Sequence, residues 1–185
     1  MKSKDSQKYL AFLRGINVGG HHKVPMKELA KEMTSIGFTN VVTLLNSGNI
    51  IFESGNQKIS ELEALIASKL EHKFGFEIPT IVVSADTIEQ LSKADPFQNV
   101  VGAKEIRFYV SLLKHNTNPE LTLPWKDEGL AFTILEVRDR MVFSVLDVAV
   151  SKTPKAMKVL EQFFGKGITT RSWKTIERVM KKLDL

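Results

Sequence analysis

The sequence predicts an α+β protein of two ferredoxin-like (βαββαβ) halves, the second degenerate, followed by an extra C-terminal helix. Three observations predict it. Over residues 1–84, short apolar runs and helical stripes alternate as strand, helix, strand, strand, helix, strand. Residues 85–185 run through the same order with one helix broken up. A final amphipathic stripe, Trp173, Ile176, Met180 and Leu183, is left over.

In the first half, YLAFLR (9–14) has the length and apolar density of a strand, and RGINVGGHHKV (14–24) follows as a glycine-rich loop. Pro25 suits a first helical position and Gly37 a C-terminal cap, and between them Met26, Leu29, Met33 and Ile36 recur at helical spacing. NVVTLL and NIIFE flank the turn NSGN as a tight hairpin, with Gly48 and Asn49 taking the positive φ. Ser60 and Glu63 have the spacing of a capping box ahead of a helix bearing Leu62, Leu65, Ile66 and Leu70, ended by Gly75. IPTIVVS (78–84) supplies the fourth strand.

In the second half, Ser84 or Asp86 opens a short helix, 94–104 is loop, and EIRFYVSLL (105–113) is a strand. Pro119, Pro124 and Gly129 interrupt the region of the expected crossover helix, which is therefore short or missing. LAFTILEV and MVFSVL form a hairpin about 138–140. Thr153 and Pro154 start a helix that Gly165 stops, and Ser172 caps the last one after an extended GITTR. Runs such as Ile50–Ile51–Phe52 and Ile81–Val82–Val83 are apolar at consecutive positions, so both sheet faces are covered. The other half of the chain ranks first as the cover and a homodimer partner second.

At 185 residues, with 43% hydrophobic and 25% charged side chains, the chain can bury a core in each half and is neither disordered nor fibrous. Cysteine is absent, which excludes disulfides, thiolate metal sites and cysteine nucleophiles. The polar N-terminus has no signal-peptide h-region and no stretch is long enough to span a bilayer, so a cytoplasmic location without membrane contact is expected. The net charge of +5 is uneven: residues 1–92 balance, whereas 151–185 hold nine basic side chains against three acidic ones. Such a patch attracts phosphates or nucleic acid, though on helices it is commonly a solvated face.

The loop at 14–24 carries the candidate chemistry. A glycine-rich connection from strand to helix can turn backbone N–H groups and a helix dipole toward an anion. Gly15, Gly19 and Gly20 supply the permissive backbone, and Arg14 and Lys23 the charges. Gly15 to Gly20 has Walker A spacing, but His21 and His22 stand where Lys and Ser/Thr are required, and G-x-G-x-x-G does not occur. The plainer explanation is a connection needing positive φ. His21 and His22 are the weak catalytic candidates, as general bases; being adjacent they cannot converge on one ion, and no metal or cofactor is expected. Ser47 lacks a nucleophile elbow. Thr169, Thr170 and Arg171 precede a helix and can hold a phosphate there, with capping as the simpler reading, and Trp173 belongs to the apolar stripe. NIIFES does not match the RNA-recognition signature.

FLRGINVGGHHKVPMKEL, LLNSGNIIF and ITTRSWKTIERV, in this order, resemble the family called domain of unknown function 1697, over residues 9 to 183. The resemblance implies a bacterial-type cytoplasmic protein of two ferredoxin-like halves with no assigned activity. The family pattern falls on Arg14, Gly15, Asn17, Gly19, Gly20, Lys23, Val24 and Pro25, on Ser47, Gly48 and Asn49, and on Thr169, Thr170, Arg171 and Trp173. Asn46 departs from a glutamine, and Ser172 and Lys174 from asparagines.

Three functional readings follow. The first is a binding module in which 14–23, 46–49 and 169–173 converge on a phosphate-bearing small molecule, another anion or nucleic acid, through Arg14, Gly15, Asn17, Gly19, Gly20, Lys23, Ser47, Asn49, Thr170 and Arg171. The second is a phosphoester enzyme with His22 or His21 as base and Arg14 and Arg171 stabilising charge, weakened by the lack of a carboxylate cluster for magnesium. The third is a structural protein that dimerises through its apolar sheet faces.

Overall fold

The computed structural model describes residues 6–100, 105–117 and 119–184; 101–104 of the expected 94–104 loop lie outside them. The chain divides into two compact units, Met1–Gln90 and Leu91–Leu185. Among the described residues no helix is long and apolar enough to cross a membrane.

The first unit runs β1 (Ser6–Leu13), α1 (Met26–Ser35), β2 (Thr39–Leu44), β3 (Asn49–Gly55), α2 (Ile59–Phe74) and β4 (Thr80–Ser84). Its strands form one antiparallel sheet in the order β2-β3-β1-β4. Alternate residues, among them Tyr9, Ala11, Leu13, Ile50, Phe52 and Val82, pack against Leu29 and Met33 of α1 and Leu62, Ile66 and Leu70 of α2. A leucine, isoleucine, valine, phenylalanine or methionine fully buried in this way contributes about 1.5–3 kcal/mol. The residues of opposite parity, Leu10, Phe12, Ile51, Ile81 and Val83, are buried as well, as continuous apolar runs require.

Three local expectations are corrected. Pro25 is the N-cap of α1, not its first helical residue, because its backbone is extended (ψ 128°). The Ser60–Glu63 capping box does not form: Lys58 precedes the helix without a side-chain cap, and Glu63 points inward, where its carboxylate accepts the Val82 N–H at 3.0 Å. That bond closes an amide on the edge strand β4, a stronger demand than capping an exposed turn. In the 45–48 turn, positive φ falls on Leu45 and Gly48, and Asn49 is instead the first residue of β3, paired with Leu44. The end of α1 follows expectation: Gly37 takes φ 100°, its N–H bonds Thr34 O and that of Phe38 bonds Met33 O, a Schellman arrangement.

Helix α3 (Ala85–Ala94) starts where Ser84 Oγ accepts the Thr87 N–H, and the boundary between the units falls inside it. The second unit then runs β5 (Ile106–Leu113), β6 (Trp125–Asp127), β7 (Phe132–Arg138), β8 (Met141–Asp147), α4 (Thr153–Phe164), β9 (Ile168–Ser172) and α5 (Trp173–Lys182). Its antiparallel sheet has the order β6-β7-β8-β5-β9. Where a crossover helix would lie between β5 and β7 there is the short strand β6, in keeping with the prolines and glycine there. Ala156, Leu160 and Phe164 of α4 pack on the face carrying Tyr109, Leu113, Phe132 and Leu146. On the opposite face Phe97 touches Phe108, Phe143 and Trp173, and Ile176, Val179 and Met180 of α5 are buried.

Candidate functional site

The glycine-rich connection between β1 and α1 is a miniature hairpin. Asn17 N–H donates to His22 O, His21 N–H donates to Val18 O, and Gly19 and Gly20 take φ of 59° and 81° between them. Positive φ at both central residues is the requirement of a two-residue type I′ turn, so these glycines have a conformational reason of their own. The Asn17 and His21 amides are thereby engaged inside the loop.

Asn17 locks this hairpin in place. Its Nδ2 donates to Val24 O at 3.0 Å and to Asn46 O at 2.8 Å, and its Oδ1 accepts the Val24 N–H at 2.9 Å. Leu13 N–H donates to Gly48 O at 2.8 Å. Hence the 14–23 loop and the 45–48 turn, joined across 29 residues at Asn17 and Asn46, form one corner of the first unit. Gly15, Gly19, Gly20, His21, His22, Lys23 and Ser47 are exposed there, and Arg14 and Asn17 half-buried. Asn49 is buried: its Nδ2 donates to Leu44 O and Ser47 Oγ, which makes it a brace for the turn rather than a presented group.

The corner is strained. Asn17 (φ 54°), His22 (49°) and Leu45 (59°) hold left-handed backbone, a conformation that costs side-chain-bearing residues roughly 1–3 kcal/mol and gathers at functional sites. The His22 ring stacks on Phe76 at 4.3 Å and 14°, and Nδ1 lies 3.2 Å from Gly15 O. A carbonyl can only accept, so Nδ1 carries the hydrogen and Nε2 holds the lone pair in the neutral ring. From Arg14 to Lys27 there is no acidic residue, against Arg14, Lys23 and Lys27 and two histidines. Val18 is 68% exposed, an apolar tip that sequence patterning did not single out.

Thr170 and Arg171 belong to the second unit and lie in β9, not in a loop. Thr170 Oγ1 and Ser111 Oγ share a hydrogen bond of 2.7 Å. Arg171 is buried; its Nη1 donates to Thr169 Oγ1 at 2.9 Å and to Thr170 O at 3.0 Å. Burial lowers its guanidinium to about 10, still protonated at neutral pH. Ser172 caps α5 by accepting the Thr175 N–H.

Sequence reasoning missed a groove of about 720 Å³ in the second unit, bounded by the start of β5, the N-terminal ends of α4 and α5, and Val148. Arg107, Phe108, Tyr109, Thr153, Trp173 and Lys174 line it. They come from separate segments with no shared motif; Trp173, read as core, is half exposed and was the single available signal. Among the described residues no three His, Asp or Glu side chains gather as metal ligands.

Comparison with known proteins adds three findings. The family model described as "Protein of unknown function (DUF1697)" matches residues 6–143, which include the first two resemblance blocks and stop short of the third. No curated protein matches. Among solved structures, the conserved bacterial protein SP0830 from Streptococcus pneumoniae is similar at 27% identity and a TM-score of 0.64, over 96% of this chain and 99% of that one.

Proposed function

The chain belongs to the DUF1697 family of proteins of unknown function, and from that premise we propose that it is a cytoplasmic binding module for a phosphate-bearing ligand, held at the corner formed by residues 14–23 and 45–48. The observation that carries this reading is electrostatic preorganisation. Asn17 fixes loop and turn as one body, and the segment from 14 to 27 carries Arg14, Lys23 and Lys27 and no carboxylate of its own. Residues Gly15, Gly19, Gly20 and Ser47 border the same exposed surface. The topology is part of the reading: the strand order β2-β3-β1-β4 and its counterpart β7-β8-β5-β9 support two ferredoxin-like halves.

Inorganic phosphate, a mononucleotide and a single-stranded oligonucleotide, each added in thermal denaturation, test it. A ligand at a hundredfold excess over its Kd stabilises by about 2.7 kcal/mol, roughly 5–10 °C in Tm for a chain of this size. Arg14→Ala and Lys23→Ala are expected to reduce that shift. A response confined to the oligonucleotide and steeply weakened by salt would identify nucleic acid as the source of the phosphate. No response in any arm rejects the proposal.

A catalytic version, phosphoester chemistry with His22 as base, draws on the fixed His22 ring, whose Nε2 is the lone-pair nitrogen. It expects turnover of a generic phosphoester and its loss in His22→Ala at unchanged Tm; His21, whose ring has no such support, is expected to be dispensable.

A further inference from the structure

We propose that the groove of the second unit is a separate site for a neutral planar nitrogen heterocycle, a purine nucleoside being the class that fits. The argument starts from the sheet. β9 pairs with β5 only from Tyr109 to Leu113, whereas β8 pairs with it from Ile106 to Leu112. Beyond Ser172 the chain turns into α5, so among the described residues Ile106 has no strand residue opposite it on the β9 side. Lys114 N–H donates to Gly167 O on that side, and in a regular antiparallel strand residues an even number apart turn their amides the same way. Ile106 therefore turns both its N–H and its C=O into the groove. A donor and an acceptor side by side on a strand edge are complementary to the edge of a purine ring.

The remaining lining agrees with a flat ligand. Trp173 borders the groove half exposed, held edge-to-face by Phe97 at 5.2 Å, and an aromatic side chain is the standard platform for a base. Tyr109 and Thr153 contribute a hydrogen-bonded hydroxyl pair, 2.8 Å apart. At the rim Arg107 and Lys174 are matched by Glu105 and Glu177, all exposed, so the charges offset one another and the groove has no preference for a bare anion. The volume of about 720 Å³ lies within the usual range for small-molecule sites. This site is independent of the corner in the first unit: it selects the heterocycle, whereas the corner selects phosphate.

Adenosine, which has no phosphate, is the probe. Titrated into the full chain and followed by amide and indole NMR shifts, it is expected to perturb the Ile106 amide and the Trp173 indole and to leave residues 14–23 unmoved. Trp173→Ala is expected to weaken adenosine at least about tenfold, as loss of one base–aromatic stack does, and the wild-type shift pattern is the readout should that variant fold poorly. Adenosine monophosphate is expected to bind within about threefold of adenosine, since the rim carries no net charge. Absence of shifts at millimolar adenosine, shifts confined to residues 14–23, or a monophosphate bound more than tenfold tighter than adenosine would each overturn the proposal.

Discussion

Gly48→Ala is expected to destabilise the protein by about 2–5 kcal/mol. Two effects add at this position. Gly48 has φ +74°, where a side chain costs roughly 1–2 kcal/mol. A Cβ there would also lie 2.7 Å from Ile16 Cδ1 and 2.8 Å from Leu13 Cβ. Leu13 cannot retreat, since its N–H is bonded to Gly48 O and its side chain is buried against the helices. Gly20→Ala is the control: φ is +81° and nothing lies within 4 Å of the added carbon, so only the conformational part applies. Urea denaturation of both variants checks the difference, and equal midpoints would show that the contact of turn and loop is loose.

Glu63→Ala is expected to cost about 2–4 kcal/mol, and Ser60→Ala less than about 0.5. Glu63 is 4% exposed and its carboxylate accepts the Val82 N–H, so truncation strips the edge of β4 of a partner in a dry environment. Ser60 is exposed and makes no cap. A capping box would give the reverse ranking, with Ser60→Ala near 1 kcal/mol. The two variants thus discriminate between the helix end read from spacing and the sheet edge found in the fold.

Much of the architecture was legible in the sequence. Apolar periodicity located the strands and helices, because burial on one stripe of a helix or along a strand leaves a local pattern. The prolines at 119 and 124 and Gly129 announced the missing crossover helix. Gly37, Gly75 and Gly165 marked helix ends, where each takes a positive φ that glycine adopts without a side-chain penalty. The site was legible in part. The loop composition pointed to Arg14, Lys23 and the histidines, yet Asn17, whose hydrogen bonds organise the corner, looked like one polar loop residue among several. Glu63 was misread because a capping box and an inward carboxylate share the same spacing.

By itself, the sequence determined most of the strands and helices, that strands β1, β3 and β4 are buried on both faces, and that the 14–27 stretch is cationic, since each depends on neighbours within a few residues. The tertiary structure alone decided that Asn17 ties two distant turns into one corner and that Glu63 seals β4. It also buried Arg171 in a strand and brought the start of β5 and Trp173 to one groove. Hydrogen-bond partners and desolvation are properties of groups that meet across long stretches of chain, and no local pattern of residue types encodes who meets whom.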